Sequence, residues 1–163
     1  FDVDKLKWLS GHYIRELPVD ELAERLVSFM GIEGAAADVV TKATPLVQER
    51  VSTLLEAANM VGFLLDERYV VDPEAAAKQL GHDARPTLEA ARAALHDLPS
   101  FDTASIETAL RSALVEGLGL KPKHAFGPIR VAVTGSTVSP PLFESIEILG
   151  KDKTLVRLDA ALI

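Results

Sequence analysis

The sequence has 163 residues and a mass of 17.6 kDa, with 17 Lys and Arg against 24 Asp and Glu for a formal net charge of -7. With 48% apolar and 25% charged residues it has the composition of a folded domain, which excludes intrinsic disorder, and no apolar run reaches the roughly 18 residues of a membrane span. The absence of Cys excludes disulfides, thiolate zinc sites and Cys nucleophiles, and suits a reducing compartment such as the cytoplasm.

The opening Phe1-Asp2-Val3-Asp4 has no initiator Met, basic n-region or apolar h-region, so it is no signal peptide. It reads instead as the first turn of a helix in a piece of something larger. That helix runs from about Asp4 to Arg15, with Leu6, Leu9, Tyr13 and Ile14 at helical spacing and Trp8 on a flank, until Pro18 breaks it. Asp20 is read as the N-cap of a second helix with the stripe Leu22, Leu26 and Phe29, ended by Gly31. A short Ala-rich helix is expected from Ala35 to Lys42. Thr44-Pro45 then has the form of a cap followed by a first helical proline, and Val47, Val51, Leu54, Ala58, Val61 and Leu65 predict one long central helix.

Asp66 to Val71 reads as a connector, and Asp72-Pro73 repeats the cap-and-proline signature for a helix closed by Gly81. A subdomain boundary is expected at this point. Pro86 starts a helix with Leu88, Ala91, Leu95 and Leu98 inward. Asp102 or Thr103 caps the next, with Ile106, Leu110, Ala113 and Leu114. Ser139-Pro140-Pro141 opens a helix carrying Leu142, Ile146 and Leu149, and a terminal helix carries Leu155, Leu158 and Leu162. Between these, Ile129, Val131 and Val133 alternate with Arg130, Ala132 and Thr134 as in a strand. No other run could pair with it, so the segment is read as a short helix from Pro128 to the C′ residue Gly135. No repeat of 20 to 50 residues is visible, and the fold class is all-α.

Charge is unevenly distributed. Between Glu116 and Glu144 there is no Asp or Glu, while Lys121, Lys123, His124 and Arg130 fall inside the gap. An acidic protein with one acid-free stretch reads as having a localised site for an anion or polyanion, since a few unopposed cations suffice to hold phosphates. The alternative is a loop that merely lacks acids. Among the arginines, Arg111 has Glu107 one turn before it, as in an intrahelical ion pair. Arg50 has only Leu46, Val47, Thr53 and Leu54 at helical distance, so its fork either snorkels to solvent or points at a partner. Arg130 lies inside the acid-free stretch between apolar neighbours. At Ser139-Pro140-Pro141 two prolines remove helix-start donors, so a rigid apolar corner beside a hydroxyl suits a base better than a phosphate.

Catalytic patterns are missing. The four histidines form no H-E-x-x-H or comparable pair, and neither G-x-x-x-x-G-K-[ST] nor G-x-G-x-x-G occurs. No catalytic constellation, metal site or cofactor site is expected within this chain.

Two stretches together carry a resemblance. Lys5-Leu-Lys-Trp8-Leu-Ser-Gly-His12-Tyr-Ile-Arg15 resembles the segment that follows the catalytic core of bacterial glutamyl-tRNA synthetases. Phe126-Gly-Pro-Ile-Arg130-Val-Ala-Val-Thr134-Gly135, followed by Ser139-Pro140-Pro141-Leu142-Phe143 and Leu149-Gly150-Lys151, resembles a signature near the C-terminus of the same enzymes. Neither H-I-G-H nor a K-M-S-K-S-type motif is present, so the chain looks like the C-terminal anticodon-binding half of a class I synthetase without its ATP-binding half.

The resemblance implies a helical cage of two small subdomains, with 1–18 ending a stem-contact region and anticodon-binding helices over 19–72 and 73–163. It implies the anticodon loop of glutamate tRNA as partner, read by Arg130, Arg111 and Arg50, with Ser139, Pro140 and Leu142 holding the last anticodon base. Gln48-Glu49-Arg50 departs from the Arg-Pro-Arg usual in the family. ATP and Mg²⁺ belong to the parent ligase and none to this fragment. A cytoplasmic monomer without DNA or membrane partners is expected. The competing reading is a helical protein-interaction scaffold that reads no RNA.

Overall fold

The computed structural model describes residues 2–163; Phe1, the first residue of the opening segment considered above, lies outside them. Among the described residues there are ten α-helices and no strand. They form two compact units, divided between Arg68 and Tyr69.

The first unit holds α1 (Val3–Glu16), α2 (Val19–Met30), α3 (Gly34–Val47) and α4 (Leu54–Val61), followed by 3-10 turns at Gly62–Leu64 and Asp66–Arg68. Asp2 caps α1 by accepting the Lys5 amide at 3.0 Å. The other end of α1 is closed from a distance: Gln48 Nε2 donates to the carbonyls of Ile14 at 3.0 Å and Leu17 at 2.8 Å. The Ile14 carbonyl also accepts the Leu17 amide at 3.3 Å, so Gln48 reinforces a helix end whose last carbonyls lack the regular intrahelical bond. Leu22, Leu26, Val40, Val47 and Val61 form the fully buried centre of this unit. Of the stripe expected on α1 only Ile14 is buried; Leu6, Trp8, Leu9 and Tyr13 stay exposed, and Trp8 stacks on His12.

Three further expectations fail in this unit. Asp20 does not cap α2, because the helix already starts at Val19 with Pro18 at the cap and Asp20 in its first turn. Phe29 is exposed, and Ala23 and Met30 are buried in its place. The long helix expected from Thr44 is two helices. α3 passes through Pro45 and stops at Val47, where the missing proline N–H leaves one helical bond unmade. A new cap then restarts the chain: Thr53 Oγ1 accepts the Glu56 amide at 3.0 Å, and Glu56 Oε2 accepts the Ser52 amide at 2.7 Å. Val51 is buried in the turn between them, so the apolar stripe survives without the helix.

The second unit contains α5 (Pro73–Gln79), α6 (Arg85–His96), α7 (Thr103–Leu110), α8 (Pro122–Thr134), α9 (Leu142–Leu149) and α10 (Lys151–Ala161). A 3-10 turn at His82–Ala84 precedes α6, and α7 runs on as a π-helical stretch over Arg111–Gly117. Asp72 and Asp102 cap α5 and α7, as their sequence contexts predict. Leu88, Leu95, Ile106, Leu110, Leu114, Ile129, Ile146 and Leu158 are its largest core side chains.

α8 is longer than the sequence suggests. It starts at Pro122, and Pro128 lies inside it rather than at its head. Ala125, Pro128, Ile129, Val131, Ala132 and Val133 are all buried, because α5, α6 and α10 pack around it. A helix covered on most of its circumference loses the amphipathic period, which explains the strand-like alternation. Gly135 does end the helix, with the left-handed φ of 81° that a C′ position requires.

Candidate nucleic-acid interface

The acid-free stretch folds into α8, the loop behind it and the start of α9. Half-buried Arg130 points its Nη1 at that loop, donating to Ser139 Oγ at 2.5 Å and to the Pro140 carbonyl at 3.3 Å. Ser139 Oγ itself donates to the Pro140 carbonyl at 2.7 Å. Ser139 is therefore no helix cap: α9 starts at Leu142 with Pro141 at the cap, and the buried hydroxyl is used to hold an arginine.

Several bonds fix this corner. Thr134 Oγ1 donates to the Arg130 carbonyl at 2.7 Å and accepts from the Ser136 amide, and the Asp72 amide donates to the Gly135 carbonyl at 2.8 Å. A Cβ on Gly135 would run into the Val70 carbonyl. The last carbonyls of α8 are taken by two side chains from afar: Tyr69 Oη donates to Ala132 at 2.6 Å and Arg157 Nη1 to Val133 at 2.7 Å. Arg157 is buried, with its guanidinium 3.7 Å from the centre of the Tyr69 ring. Burial pushes the Tyr69 hydroxyl above the usual tyrosine range, and the charge of Arg157 pulls it partly back.

An aromatic pair stands one turn away. Phe126 meets Phe143 edge-on at 5.3 Å, and the Arg111 guanidinium lies 5.3 Å and 5.7 Å from the two ring centres. Arg111 also reaches Glu107 at 3.4 Å. Phe126 joins this group to a groove of about 340 Å³, lined by Arg130, Lys123, Thr137, Gly127, Pro122 and Gln79. No carboxylate lines it among the described residues. Cations, an aromatic face and fixed polar groups around one groove can hold a planar, hydrogen-bonding ligand attached to phosphates.

The structure thus brings together Arg130, Ser139 and Pro140, with Arg111 linked to them through Phe126. Leu142 is buried at 4% exposure, and Pro140 is also buried. Arg50 belongs to the first unit, in the turn after α3, where it is exposed and its side chain has no partner among the described residues. Sequence reasoning did not single out Phe126, Phe143, Tyr69, Arg157 or Gln79. The two phenylalanines lie inside the signature segments and were findable there. Arg157 had no signal beyond a cation on the apolar side of a terminal helix. No group of three His, Asp or Glu side chains that could hold a metal occurs among the described residues.

Comparison with known proteins gives a consistent result. The family described as the anticodon binding domain matches residues 21–162. The chain is 52% identical over 171 residues to a glutamate–tRNA ligase of Acidothermus cellulolyticus, covering 99% of this chain and 34% of that protein. It is 48% identical over 165 residues to a glutamate–tRNA ligase of Mycobacterium marinum, with the same coverage of 99% and 34%. The chain therefore spans about a third of the length of these relatives. A glutamate tRNA ligase from Elizabethkingia meningosepticum, crystallised in complex with its amino acid, shares the fold with a TM-score of 0.82 at 19% identity, over 99% of this chain and 32% of that one. A glutamate-tRNA synthetase from Elizabethkingia anophelis has a TM-score of 0.78 at 21% identity, again over 99% and 32%.

Proposed function

The chain belongs to the anticodon binding domain family, and from that premise we propose that it grips the anticodon loop of glutamate tRNA as part of a glutamate–tRNA ligase. The Arg130–Ser139 corner carries this reading. A guanidinium pinned by a buried hydroxyl beside an acid-free groove is preorganised to read base edges, and Phe126 adds a stacking face. The relatives named above are themselves glutamate–tRNA ligases.

On this reading residues 1–18 end a stem-contact region, and 19–72 and 73–163 are the two anticodon-binding subdomains. Arg111 contacts the loop backbone or a base from its aromatic seat. Arg50 reads another anticodon base, and Ser139, Pro140 and Leu142 frame the last one. The whole protein would join glutamate to its tRNA with ATP and Mg²⁺, held by residues outside this chain. It would act as a monomer in the cytoplasm.

Titration of the chain against a labelled anticodon stem-loop of glutamate tRNA, beside the same stem with a scrambled loop, tests the proposal. Tighter binding to the native loop, weakening steeply with salt, supports it. Equal affinity for both loops, or binding that ignores salt, overturns reading of the loop by this chain, and no binding to either loop at low salt leaves the protein-interaction scaffold.

A further inference from the structure

Gln79 ends α5 and lies half-buried over α8. Two grooves of the second unit meet at this side chain. One is the groove of about 340 Å³ that holds Arg130, Lys123 and Phe126; the other, of about 470 Å³, is lined by Lys78, His124, Thr87 and Pro128 among others. Both volumes fall within the range of about 300–1,000 Å³ typical of ligand pockets. Gln79 lines both, so it forms the ridge between them.

Its amide is seated on Gly127. A Cβ built there would lie 2.5 Å from Gln79 Oε1 and 3.1 Å from Cδ. Gly127 stands inside α8, where glycine is a weaker helix former than alanine and no positive φ calls for it. What the missing side chain provides is room for this amide. Yet the amide itself makes no hydrogen bond among the described residues. A half-buried polar group, held in place and left without a partner at the junction of two grooves, is suited to a ligand.

We propose that Gln79 is a base-reading residue for the RNA loop, a step that rests on the function proposed above. Arg130 can only donate hydrogen bonds, whereas an amide both donates and accepts. A base in the groove would therefore have to present acceptors toward Arg130 and an N–H toward the Gln79 carbonyl oxygen. That requirement discriminates by edge chemistry, and phosphate attraction by Lys123 does not.

The test uses the 163-residue chain and a set of stem-loops in which each loop base is replaced in turn. Gln79→Ala should lose about tenfold or more of the discrimination at one loop position, with the dependence on salt unchanged. Gln79→Glu, which keeps the size but only accepts, should change which base is preferred there. Gly127→Ala keeps Gln79 but displaces its amide, and should weaken discrimination at the same position while thermal stability holds or rises. Variants that retain wild-type discrimination at every position overturn the role of Gln79. A wild-type chain that discriminates at no position overturns the RNA reading itself, and the two failures are distinguishable.

Discussion

The guanidinium of Arg157 lies 3.7 Å from the centre of the Tyr69 ring while donating to the Val133 carbonyl at 2.7 Å. A π face and a helix C-terminus, both of which favour positive charge, stabilise this buried cation. Arg157→Ala would leave the carbonyl unpaired and open a void beneath the ring. The expected loss is about 2–4 kcal/mol, combining an unsatisfied buried acceptor with lost packing. Urea unfolding followed by circular dichroism measures it, and Arg157→Lys should recover only part.

Tyr69 has its hydroxyl pushed upward by burial. A raised folded-state value means that the unfolded chain deprotonates first as pH rises. The contribution of Tyr69 is therefore present below the ordinary tyrosine range and lost as pH climbs through its own higher value. Ultraviolet titration should show a late tyrosine step that is absent from Tyr69→Phe. That variant should also lose about 1 kcal/mol with the bond to Ala132.

Gly135 combines a φ of 81° with a close approach to the Val70 carbonyl. Gly135→Ala would incur about 1–2 kcal/mol for the left-handed backbone alone, and the contact with Val70 forces a further shift. The denaturation midpoint should fall, and loop affinity should fall with it, since Gly135 starts the loop that carries Ser139.

Asp102 accepts from the Ser100 hydroxyl, the Ser105 amide and the Ser105 hydroxyl, in that order of effect, which holds its carboxyl down at about 2. The stabilisation is present above the usual carboxylate value and is lost as pH falls toward 2. Asp102→Asn should flatten this part of the acid limb of the melting temperature between about pH 4 and pH 2.

Arg130→Ala should weaken binding to the native stem-loop by about 1–3 kcal/mol while hardly affecting a scrambled loop. Arg130→Lys should restore little of it, because an ammonium cannot hold Ser139 and Pro140 and still present a fork. An equal loss on both loops would assign Arg130 to phosphate attraction alone.

Much of the fold was legible because caps and breakers are local. Asp72-Pro73, Asp102, Gly31 and Gly135 mark element ends through bonds that span a few residues. Thr44-Pro45 was misleading for the same reason: a proline tolerated near the end of one helix has the same local look as a proline opening another. The true restart was written in Thr53-Leu54-Leu55-Glu56, a capping box masked by the unbroken apolar stripe. In the site, the acid-free stretch and Arg130 could be read from sequence, since charge survives without coordinates. The pairing of Arg130 with Ser139 depends on how the loop after Gly135 turns back. Arg157 and Gln79 act on α8 from other helices, and no periodicity encodes that.

The bond pair from Gln48 to the end of α1 has one more effect. Helices ordinarily lose their outermost turns from either end. The carbonyl of Ile14 in α1 and that of Leu17 just after it are held by a side chain 34 and 31 residues away, so unwinding from that end first requires the turn that carries Arg50 to let go. Fraying is left to the Val3 end, where the Asp2 cap is exposed to water. The melting of this helix has a direction, and the segment next to Arg50 is the last part of it to go.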